Sequence, residues 1–317
     1  MRKILVTGAL GQVGSELIGY LRNIYGESNV IASDIHKKGK ESIIEGGPFE
    51  LLDVLDAKKA SEIVKKYNVD TIIHLAAILS AVGEKDPVLA WDINMNGLYN
   101  MLEISREKNL SLFTPSSIAA FGPNTPADNT PQDTIQRPTT MYGVTKVAGE
   151  LLCDYYFKKY GVDTRGVRFP GLISYEALPG GGTTDYAVHI YYDAIEKGKY
   201  KCYIDKGTYM DMMYMPDALN AITTLLEADS SKLIHRNAFN ITAMSFAPED
   251  IANEIKNHIP DFEIEYEIDP VRQSIAQSWP NSLDDTAARD EWGWNPKYDL
   301  SSMTKDMLEK LRLKLKK

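Results

Sequence analysis

The chain has 317 residues, of which 25% are charged and 44% hydrophobic, the composition of a globular protein with ample material for a core. Its formal net charge of −9 argues against a nucleic-acid partner, and no apolar run approaches the ~18 residues of a membrane span. Cys153 and Cys202 stand far apart, so we expect a reducing compartment, the cytoplasm, and no disulfide scaffold.

The opening segment combines a strand, a glycine-rich turn and a helix. An apolar run over 4–6 predicts a buried strand, and apolar residues recur at helical spacing from Val13 onward. Between them, T-G-x-x-G-x-x-G places Gly8 for a sharp turn, Gly11 for close approach of a pyrophosphate and Gly14 for close helix packing.

A carboxylate follows at the spacing that a dinucleotide site requires. The second strand ends in Asp34, 20 residues after Gly14, where an acidic side chain binds the adenosine ribose hydroxyls. The amides at the helix N-terminus would face the phosphates. An ordinary glycine loop is the alternative, but with Asp34 in place the segment predicts bound NAD. Asp34 would repel a 2′-phosphate, although the basic residues at 36–38 leave NADP as an alternative.

Strands and helices alternate through the first half, which predicts a doubly wound parallel sheet of the Rossmann type. We expect further strands at 49–52, 71–77, 110–115 and 162–168, and helices that begin near Asp56, Pro87 and Met141. Ala76 and Ala77 would leave room for the cofactor. Asp53 either reaches the adenine amine or caps a turn, and Asn94 either faces solvent or bonds to a neighbouring strand.

The second half has a different pattern. A glycine run at 180–182 precedes a helix, and a methionine-rich strand lies within 208–215. An alternating stretch at 263–268 predicts an edge strand. We therefore expect an NAD-binding Rossmann domain over 1–170. A smaller α/β domain over 171–317 would be mainly substrate-binding, with a segment near 214–242 returning to the Rossmann core.

Three side chains could carry chemistry together. Tyr142 opens an amphipathic helix, and Lys146 lies one turn later on the same face. A tyrosine is a poor base near neutrality, but the ammonium and a positive nicotinamide ring would both stabilise the phenolate. Ser117, at the end of the preceding strand, could hold a substrate oxygen against the phenol. The pattern Y-x-x-x-K on its own usually occurs by chance. Together with the glycine turn, it favours a redox enzyme.

Seven motifs spread over the chain carry a family resemblance: TGALGQVG, HLAA, DINMNG, PSSIAAFG, YGVTK, RFPG and DDTAARDEWGWNP. With them the sequence resembles the extended short-chain dehydrogenase/reductase family over essentially its whole length. Four further segments look most like the short-chain type of L-threonine 3-dehydrogenase within that family: AAILSAVGE (76–84), PGGGTTDYA (179–187), MMYMPDA (212–218) and SIAQSWP (274–280).

The resemblance implies oxidation of the 3-hydroxyl of L-threonine by NAD, giving L-2-amino-3-oxobutanoate. Tyr142 would take the hydroxyl proton, Lys146 would bind the nicotinamide ribose as well, and Ser117 would position the hydroxyl. The implied cofactor contacts are Gly8, Gly11, Gln12, Val13, Gly14, Asp34, Asp53, Val54, Leu75, Ala76, Ala77, Asn94, Lys146 and Pro170. The implied substrate contacts are Ser80, Ser116, Ser117, Tyr142, Gly182, Thr184, Tyr186 and Trp279.

No metal is expected, because the five histidines are dispersed and neither cysteine joins one at ligand spacing. His74, in an apolar run, is expected to be a packed core histidine. Two rival functions stay open: a nucleotide-sugar epimerase or dehydratase that reuses the same residues, and a non-catalytic dinucleotide-binding regulator. The helices over 87–107 and 141–160 have long apolar faces, and the resemblance implies that they pair in a homodimer.

Overall fold

The computed structural model describes residues 1–176 and 180–315; Pro179, in one of the quoted segments, lies outside the described residues. The chain forms two compact units. The first unit comprises Met1–Ala120, Thr140–Arg168 and Leu219–Phe239, and the second comprises Phe121–Thr139, Phe169–Ala218 and the chain from Asn240 onward. Within the described ranges, no helix combines the length and the apolar character that a membrane crossing requires.

A six-stranded parallel sheet forms the centre of the first unit, as the alternating pattern predicts. Its strands lie in the spatial order Phe49–Leu51, Val30–Asp34, Ile4–Thr7, Thr71–His74, Ser111–Phe113 and Thr164–Arg165. The first strand in sequence pairs on both sides, so that Thr7 stands beside Ser33 and His74. The strand order reverses at this point, and ligands of such sheets bind beyond the carboxyl ends of the strands there.

Helices surround this sheet, and their first turns follow ordinary capping rules. They span Gln12–Tyr25, Glu41–Glu45, Ala57–Tyr67, Ser80–Gly83, Pro87–Trp91, Gly97–Lys108 and Met141–Tyr160. Asp56 accepts a hydrogen bond from the Lys59 amide at 2.9 Å, and Asp86 accepts one from Leu89 at 3.0 Å. In a further helix, Met215–Glu227, the residues up to Ala218 belong to the second unit and those from Leu219 belong to the first.

Two predicted elements are interrupted. The strand expected over 162–168 breaks at Gly166, where a Cβ would lie 2.4 Å from the Thr114 carbonyl oxygen. Beyond the break, Val167–Phe169 joins a separate three-stranded sheet with Ser116–Ser117 and Phe239–Asn240. The helix expected from Pro87 contains a π-helical turn, Asp92–Asn96.

The second unit has its own small sheets and core. Met244–Phe246, Met210–Tyr214 and Gly171–Ile173 form a mixed sheet, and Lys199–Cys202 pairs in parallel with Glu263–Tyr266. In Glu263–Tyr266 the alternation of exposed and half-buried residues confirms the predicted edge strand. The principal helices are Tyr186–Lys197, Pro248–Lys256, Pro270–Gln277, Thr286–Trp292 and Leu300–Leu315.

Each unit encloses an apolar core. In the first, Leu5, Ile72 and Leu112 from the sheet pack with helix residues such as Leu102. In the second, aromatic and methionine side chains such as Tyr191, Met212 and Phe246 dominate. Full burial of one such side chain contributes about 1.5–3 kcal/mol, so both cores can hold their elements in place.

Candidate functional site

The glycine turn has the geometry that the sequence predicts. Gly8 has φ 68°, in the left-handed region, and a Cβ there would lie 2.7 Å from the Ala76 nitrogen. A Cβ on Gly14 would lie 2.2 Å from the Gly8 carbonyl oxygen, so the turn and the helix could not pack as they do. Gly11 is the N-cap of Gln12–Tyr25 and supplies no side chain to cap the first amides, which leaves them suited to an anion.

A cavity of about 370 Å³ lies beside this turn, within the range of small-molecule sites. Asp34 is at its edge: one carboxylate oxygen accepts from the Leu10 amide at 3.0 Å and the other from His36 at 3.4 Å. The cavity is lined by Gly8, Gly11, Asp34, Ile35, Leu52, Asp53, Val54, Leu75, Ala76, Ala77, Ile78, Leu89 and Ile93.

Eight of the predicted cofactor contacts therefore line one cavity. Asp53 is among them, and its carboxylate also accepts from the Leu55 amide at 2.9 Å, so it makes the turn contact while its contact with the adenine amine stays a prediction. Sequence reasoning missed five apolar residues that also line the cavity: Ile35, Leu52, Ile78, Leu89 and Ile93. An apolar residue after Asp34 was the one available signal.

A second, smaller cavity of about 30 Å³ lies further along the strand ends. Its lining includes His74, Asn94, Lys146 and Glu150, and it has room for about one or two water molecules. His74 shares a 2.8 Å hydrogen bond with Thr7 through its Nδ1 atom. Burial, reinforced by the nearby Lys146 ammonium, lowers the pKa of His74 to about 3. His74 is therefore a neutral core histidine, as predicted.

Asn94 is held inside the first unit. Its Oδ1 accepts from the Ile78 amide at 2.7 Å, and its Nδ2 donates to the Ile78 carbonyl and to the Thr145 hydroxyl, both at 3.1 Å. Asn94 therefore does not face solvent; it bonds to the segment that follows Thr71–His74. The π-helical turn around Asn94 is typical of functional positions in helices.

Tyr142 and Lys146 lie on the first turns of the helix Met141–Tyr160. The Lys146 ammonium is 5.3 Å from the centre of the Tyr142 ring and donates to the Pro115 carbonyl oxygen at 2.7 Å. Ser117 lies two residues after Pro115 in the chain, and its hydroxyl oxygen accepts a hydrogen bond from the Ala119 amide at 3.2 Å. The ammonium is thus held near the phenol and beside the segment that carries Ser117.

The hydroxyl of Ser116, a predicted substrate contact, is engaged within the protein. It donates to Glu150, which also receives two hydrogen bonds from Arg168, at 3.1 Å and 2.8 Å. Sequence reasoning missed both charged residues. The sequence did contain an indication for Glu150, because it follows Lys146 by four residues on the same helix. For Arg168 the sequence contained no indication beyond its place in the motif RFPG.

The remaining predicted substrate contacts are split between the units. Ser80 begins the short helix Ser80–Gly83 in the first unit and is buried. In the second unit, the amides of Gly181 and Gly182 donate to the Asp185 carboxylate. Thr184 is half-buried and close to Gly171, where a Cβ would lie 2.8 Å from the Thr184 methyl group.

Two further residues of this set differ in exposure. Tyr186 lies in the apolar core of the second unit, and burial raises the pKa of its phenol well above the ordinary value. We therefore base no substrate contact on Tyr186. Trp279 is half-buried and follows the helix Pro270–Gln277. Pro170, a predicted cofactor contact, precedes the strand Gly171–Ile173 in the same unit.

Among the residues that the structure describes, no three His, Cys, Asp or Glu side chains form a group suited to a metal ion.

Comparison with known proteins agrees with this geometry. Residues 4–242 match the NAD dependent epimerase/dehydratase family. An uncharacterized epimerase/dehydratase of Staphylococcus saprophyticus is 59% identical over 316 residues, which is 100% of this chain and 99% of that protein.

Solved structures of similar proteins carry a more specific name. The L-threonine dehydrogenase of Clostridium difficile is 67% identical, with a TM-score of 0.98 over 99% of this chain and 98% of its own. A monomeric L-threonine 3-dehydrogenase from a metagenome is 47% identical, with a TM-score of 0.93 over 99% of this chain and 100% of its own. The chain belongs to the NAD-dependent epimerase/dehydratase family, that is, to the extended short-chain dehydrogenases/reductases.

Proposed function

From this family membership, we propose that the protein oxidises the 3-hydroxyl of L-threonine to L-2-amino-3-oxobutanoate with NAD. The observation that carries the proposal is the placement of Lys146, 5.3 Å from the Tyr142 ring centre and bonded to Pro115, in a chain that closely resembles named L-threonine dehydrogenases. The likeness supports the substrate, and the side-chain geometry supports the chemistry.

The cavity beside the glycine turn fits NAD. Gly11 leaves the turn open to a pyrophosphate, the uncapped amides of Gln12–Tyr25 suit its charge, and Asp34 suits ribose hydroxyls. When bound, NAD supplies the hydride acceptor of the oxidation. Lys146 would bond to the nicotinamide ribose, and Asn94 would keep the backbone at Ile78 in place.

The chain's own residues would manage the proton. Tyr142 as phenolate would remove the 3-hydroxyl proton, which raises the electron density at the carbon that loses hydride. The Lys146 ammonium stabilises that phenolate by its charge. Ser117 would donate to the same substrate oxygen and orient it. The polar groups of the amino acid are expected to meet Ser80, Gly182 and Thr184, and Trp279 is expected to exclude water.

A nucleotide-sugar epimerase or dehydratase is the second candidate. The curated relatives favour it by name, since the Staphylococcus saprophyticus protein is called an epimerase/dehydratase. Such an enzyme would use the same tyrosine and lysine but would return the hydride to its substrate. It would therefore produce no net NADH.

The test is absorbance at the NADH band with purified protein, NAD and L-threonine, in the presence of a chelator. We expect NADH to accumulate with L-threonine, and a slower rate or none with L-serine. A nucleotide sugar is the control for the rival function. Conversion of the sugar without net NADH, together with no response to L-threonine, would contradict the proposal and support the epimerase.

We also propose that the protein is a cytoplasmic homodimer. Large apolar side chains are exposed on two first-unit helices: Val88 is 71% exposed, Leu151 62% and Tyr155 50%. A second copy would cover these faces. The relative named as monomeric makes the opposite state a real alternative. Sedimentation equilibrium decides between them, and Leu151→Glu should produce a monomer if these faces pair.

The proposal assigns different roles to the two parts of the chain. We propose that residues 1–170 bind NAD and that residues 171–317 mainly select the substrate, with 214–242 returning to the first part. The described cysteines, Cys153 and Cys202, are both free thiols, as a cytoplasmic protein would keep them.

A further inference from the structure

We propose that the ion pair of Glu150 and Arg168 is a positioning device for the reaction: it fixes the segment 115–117 and, through it, the ammonium of Lys146. This inference rests on the proposed function, because it assigns a role in the proton transfer at Tyr142. It adds two residues that touch neither cofactor nor substrate.

The pair is buried and fully engaged. Both side chains are 7% exposed. Arg168 donates from Nε to Oε1 of Glu150 at 3.1 Å and from Nη2 to Oε2 at 2.8 Å, a bidentate arrangement. The Ser116 hydroxyl donates to the same Oε1 atom. The carboxylate thus serves two donors at one oxygen and a third contact at the other.

The link to the site is one peptide group. The Pro115 carbonyl, which accepts from the Lys146 ammonium at 2.7 Å, belongs to the peptide bond between Pro115 and Ser116. Fixing the Ser116 side chain therefore fixes the orientation of the acceptor of Lys146. Ser117, proposed to orient the substrate hydroxyl, is the next residue. One carboxylate consequently holds two members of the catalytic group.

Helix geometry brings the carboxylate to this place. Tyr142, Lys146, Glu150 and Asp154 follow one another at intervals of four residues along Met141–Tyr160 and so share one side of the helix. Lys146 and Glu150 line the same small cavity. The carboxylate therefore binds the residue next to the one that receives the ammonium.

Three further titratable groups near this cluster are His74, Cys153 and Asp154. His74 faces Lys146 and is neutral because burial lowers its pKa to about 3. Cys153 is buried and its pKa is raised, so it is an uncharged thiol. Asp154 faces Glu150 and Arg168, and burial raises its pKa; it accepts a hydrogen bond from Asn237. The hydrogen bonds of His74 and Asp154 lead to Thr7 and Asn237, outside the segment 115–117.

A purely stabilising role is a weak explanation of this pair. Desolvating two charges offsets much of their attraction, and well-packed apolar residues often replace buried ion pairs without loss of stability. By contrast, Ser116 and the neighbouring Pro115 carbonyl are held in place only if the Ser116 hydroxyl has a fixed acceptor. A carboxylate can accept from this hydroxyl while Arg168 holds the carboxylate itself in place.

The decisive variant is Glu150→Gln, with Asp154→Asn as the matched control. Glutamine has nearly the same shape but offers one acceptor oxygen, so it cannot serve both Arg168 nitrogens and Ser116. We expect kcat at neutral pH to fall about 10- to 100-fold, since a misplacement of about 1 Å can cost that much. KM for NAD should stay the same. Asp154→Asn removes a carboxylate one turn further and should change kcat less than about twofold.

The pH profile separates positioning from charge. If Lys146 loses its place, the phenolate is less stabilised and the acidic limb of kcat moves to higher pH in Glu150→Gln. If the carboxylate acts only through its charge, its removal moves that limb to lower pH. A shift to lower pH, or an unchanged limb, would overturn the proposal, as would an equal fall of kcat in Asp154→Asn.

A readout without turnover keeps the inference independent of the substrate. Amide hydrogen exchange of a peptide covering 114–119 should accelerate several-fold in Glu150→Gln and in Arg168→Lys, whose point charge cannot form the bidentate pair. It should stay unchanged in Asp154→Asn. Equal exchange in all four proteins would overturn the positioning role. Absence of NADH formation from L-threonine by the unaltered protein would instead overturn the proposed function alone.

A variant that fails to fold does not end the test. If Glu150→Gln is unfolded, Ser116→Ala removes only the contact between the carboxylate and the segment. Positioning predicts the same alkaline shift of the kcat limb. A rise of KM for L-threonine with unchanged kcat would place Ser116 on the substrate and overturn its link to Glu150.

Discussion

The two units of the molecule use buried polar groups in different ways. In the first, the side chains of Asn94, Lys146 and Glu150 line one small cavity. Asn94 bonds to Thr145, the residue before Lys146, and Lys146 bonds to the carbonyl oxygen of Pro115. In the second, buried carboxylates bind backbone amides: Asp217 accepts from Lys297 and Tyr298, both at 3.0 Å.

The difference separates chemistry from scaffolding. Polar groups around a cavity can exchange protons and bind a ligand, whereas carboxylates bonded to backbone amides fix loops that have no regular partners. The first unit should therefore lose activity when a polar group is altered. In the second, altering the buried carboxylates that bind backbone amides should instead lower stability.

The largest effect should follow from Tyr142→Phe, on the first unit's side of the comparison. Loss of the proton acceptor should reduce kcat with L-threonine by about 10²- to 10⁴-fold, the range of general acid–base catalysis. NAD affinity and the midpoint of thermal unfolding should be nearly unchanged. Steady-state kinetics and calorimetry check both, and turnover within a few-fold of the unaltered protein would remove Tyr142 as the base.

On the second unit's side, Asp211→Ala should act on stability. Asp211 is fully buried and accepts from the Thr242 hydroxyl at 2.6 Å and the Leu283 amide at 3.0 Å. Alanine leaves both donors unpaired and should lower the free energy of unfolding by about 2–4 kcal/mol. NAD affinity should persist in conditions where the variant is folded.

Asp211→Asn is the matched control for this change. Burial raises the pKa of Asp211 well above its ordinary value, and an amide of the same shape keeps one acceptor oxygen for Leu283 while its NH₂ group can donate to the Thr242 hydroxyl, so it should cost less than alanine. Denaturant titration compares the two variants. Equal destabilisation by both would mean that the charge, rather than the loss of acceptors, governs this site.

A smaller effect tests the cofactor cavity. Asp34→Ala removes the carboxylate at the cavity edge and should weaken NAD about tenfold, the value of one hydrogen bond to a charged group. NADP should be weakened less or even favoured, because a repulsive charge is gone. Titration calorimetry with both nucleotides is the measurement. Equal losses for the two would show that Asp34 supports the turn through Leu10 instead of reading the ribose.

The effect that is smallest at neutral pH concerns acid stability and His74. The unfolded chain takes up a proton near the ordinary pKa of 6.5, while the folded protein does so only near a pKa of about 3. This contribution is therefore complete above pH 6.5 and is lost as the pH falls toward 3, by about 1.4 kcal/mol per pH unit. His74→Gln should flatten the pH dependence of unfolding in this window. The exposed His36 provides the control, and equal slopes for both variants would contradict the assignment.

The parts that sequence could predict are those governed by local rules. The glycine turn, the cap at Asp56, the helix start at Pro87, and the pair Tyr142 and Lys146 all follow from spacing within a few residues. Glu150 shared that spacing and was still missed, because its partners Ser116 and Arg168 lie far away in the chain. The break at Gly166 depends on the approach of Thr114, which no local pattern shows.

The placement of Tyr186 illustrates a different limit. Its position after the glycine run suggested a ligand contact, yet its ring belongs to an apolar core built from residues as distant as Met303. A tyrosine suits both a binding site and a core, because it has an apolar ring and a polar tip. Composition alone cannot choose between these environments, since the choice depends on the packing of distant helices.

The π-helical turn Asp92–Asn96 has a consequence for anyone who redesigns this chain. Such a turn contains one residue more than an α-helical turn, so it rotates everything after it by about 100° around the helix axis. The side of Gly97–Lys108 that points inward is therefore out of phase with the side of Pro87–Trp91 that does so. Deleting a single residue here would yield an uninterrupted helix in which both halves keep their present neighbours, whereas a regular helix that retained every residue would turn Gly97–Lys108 by about 100° away from them. A helical wheel drawn through this segment as one cylinder would mislead the designer for the same reason.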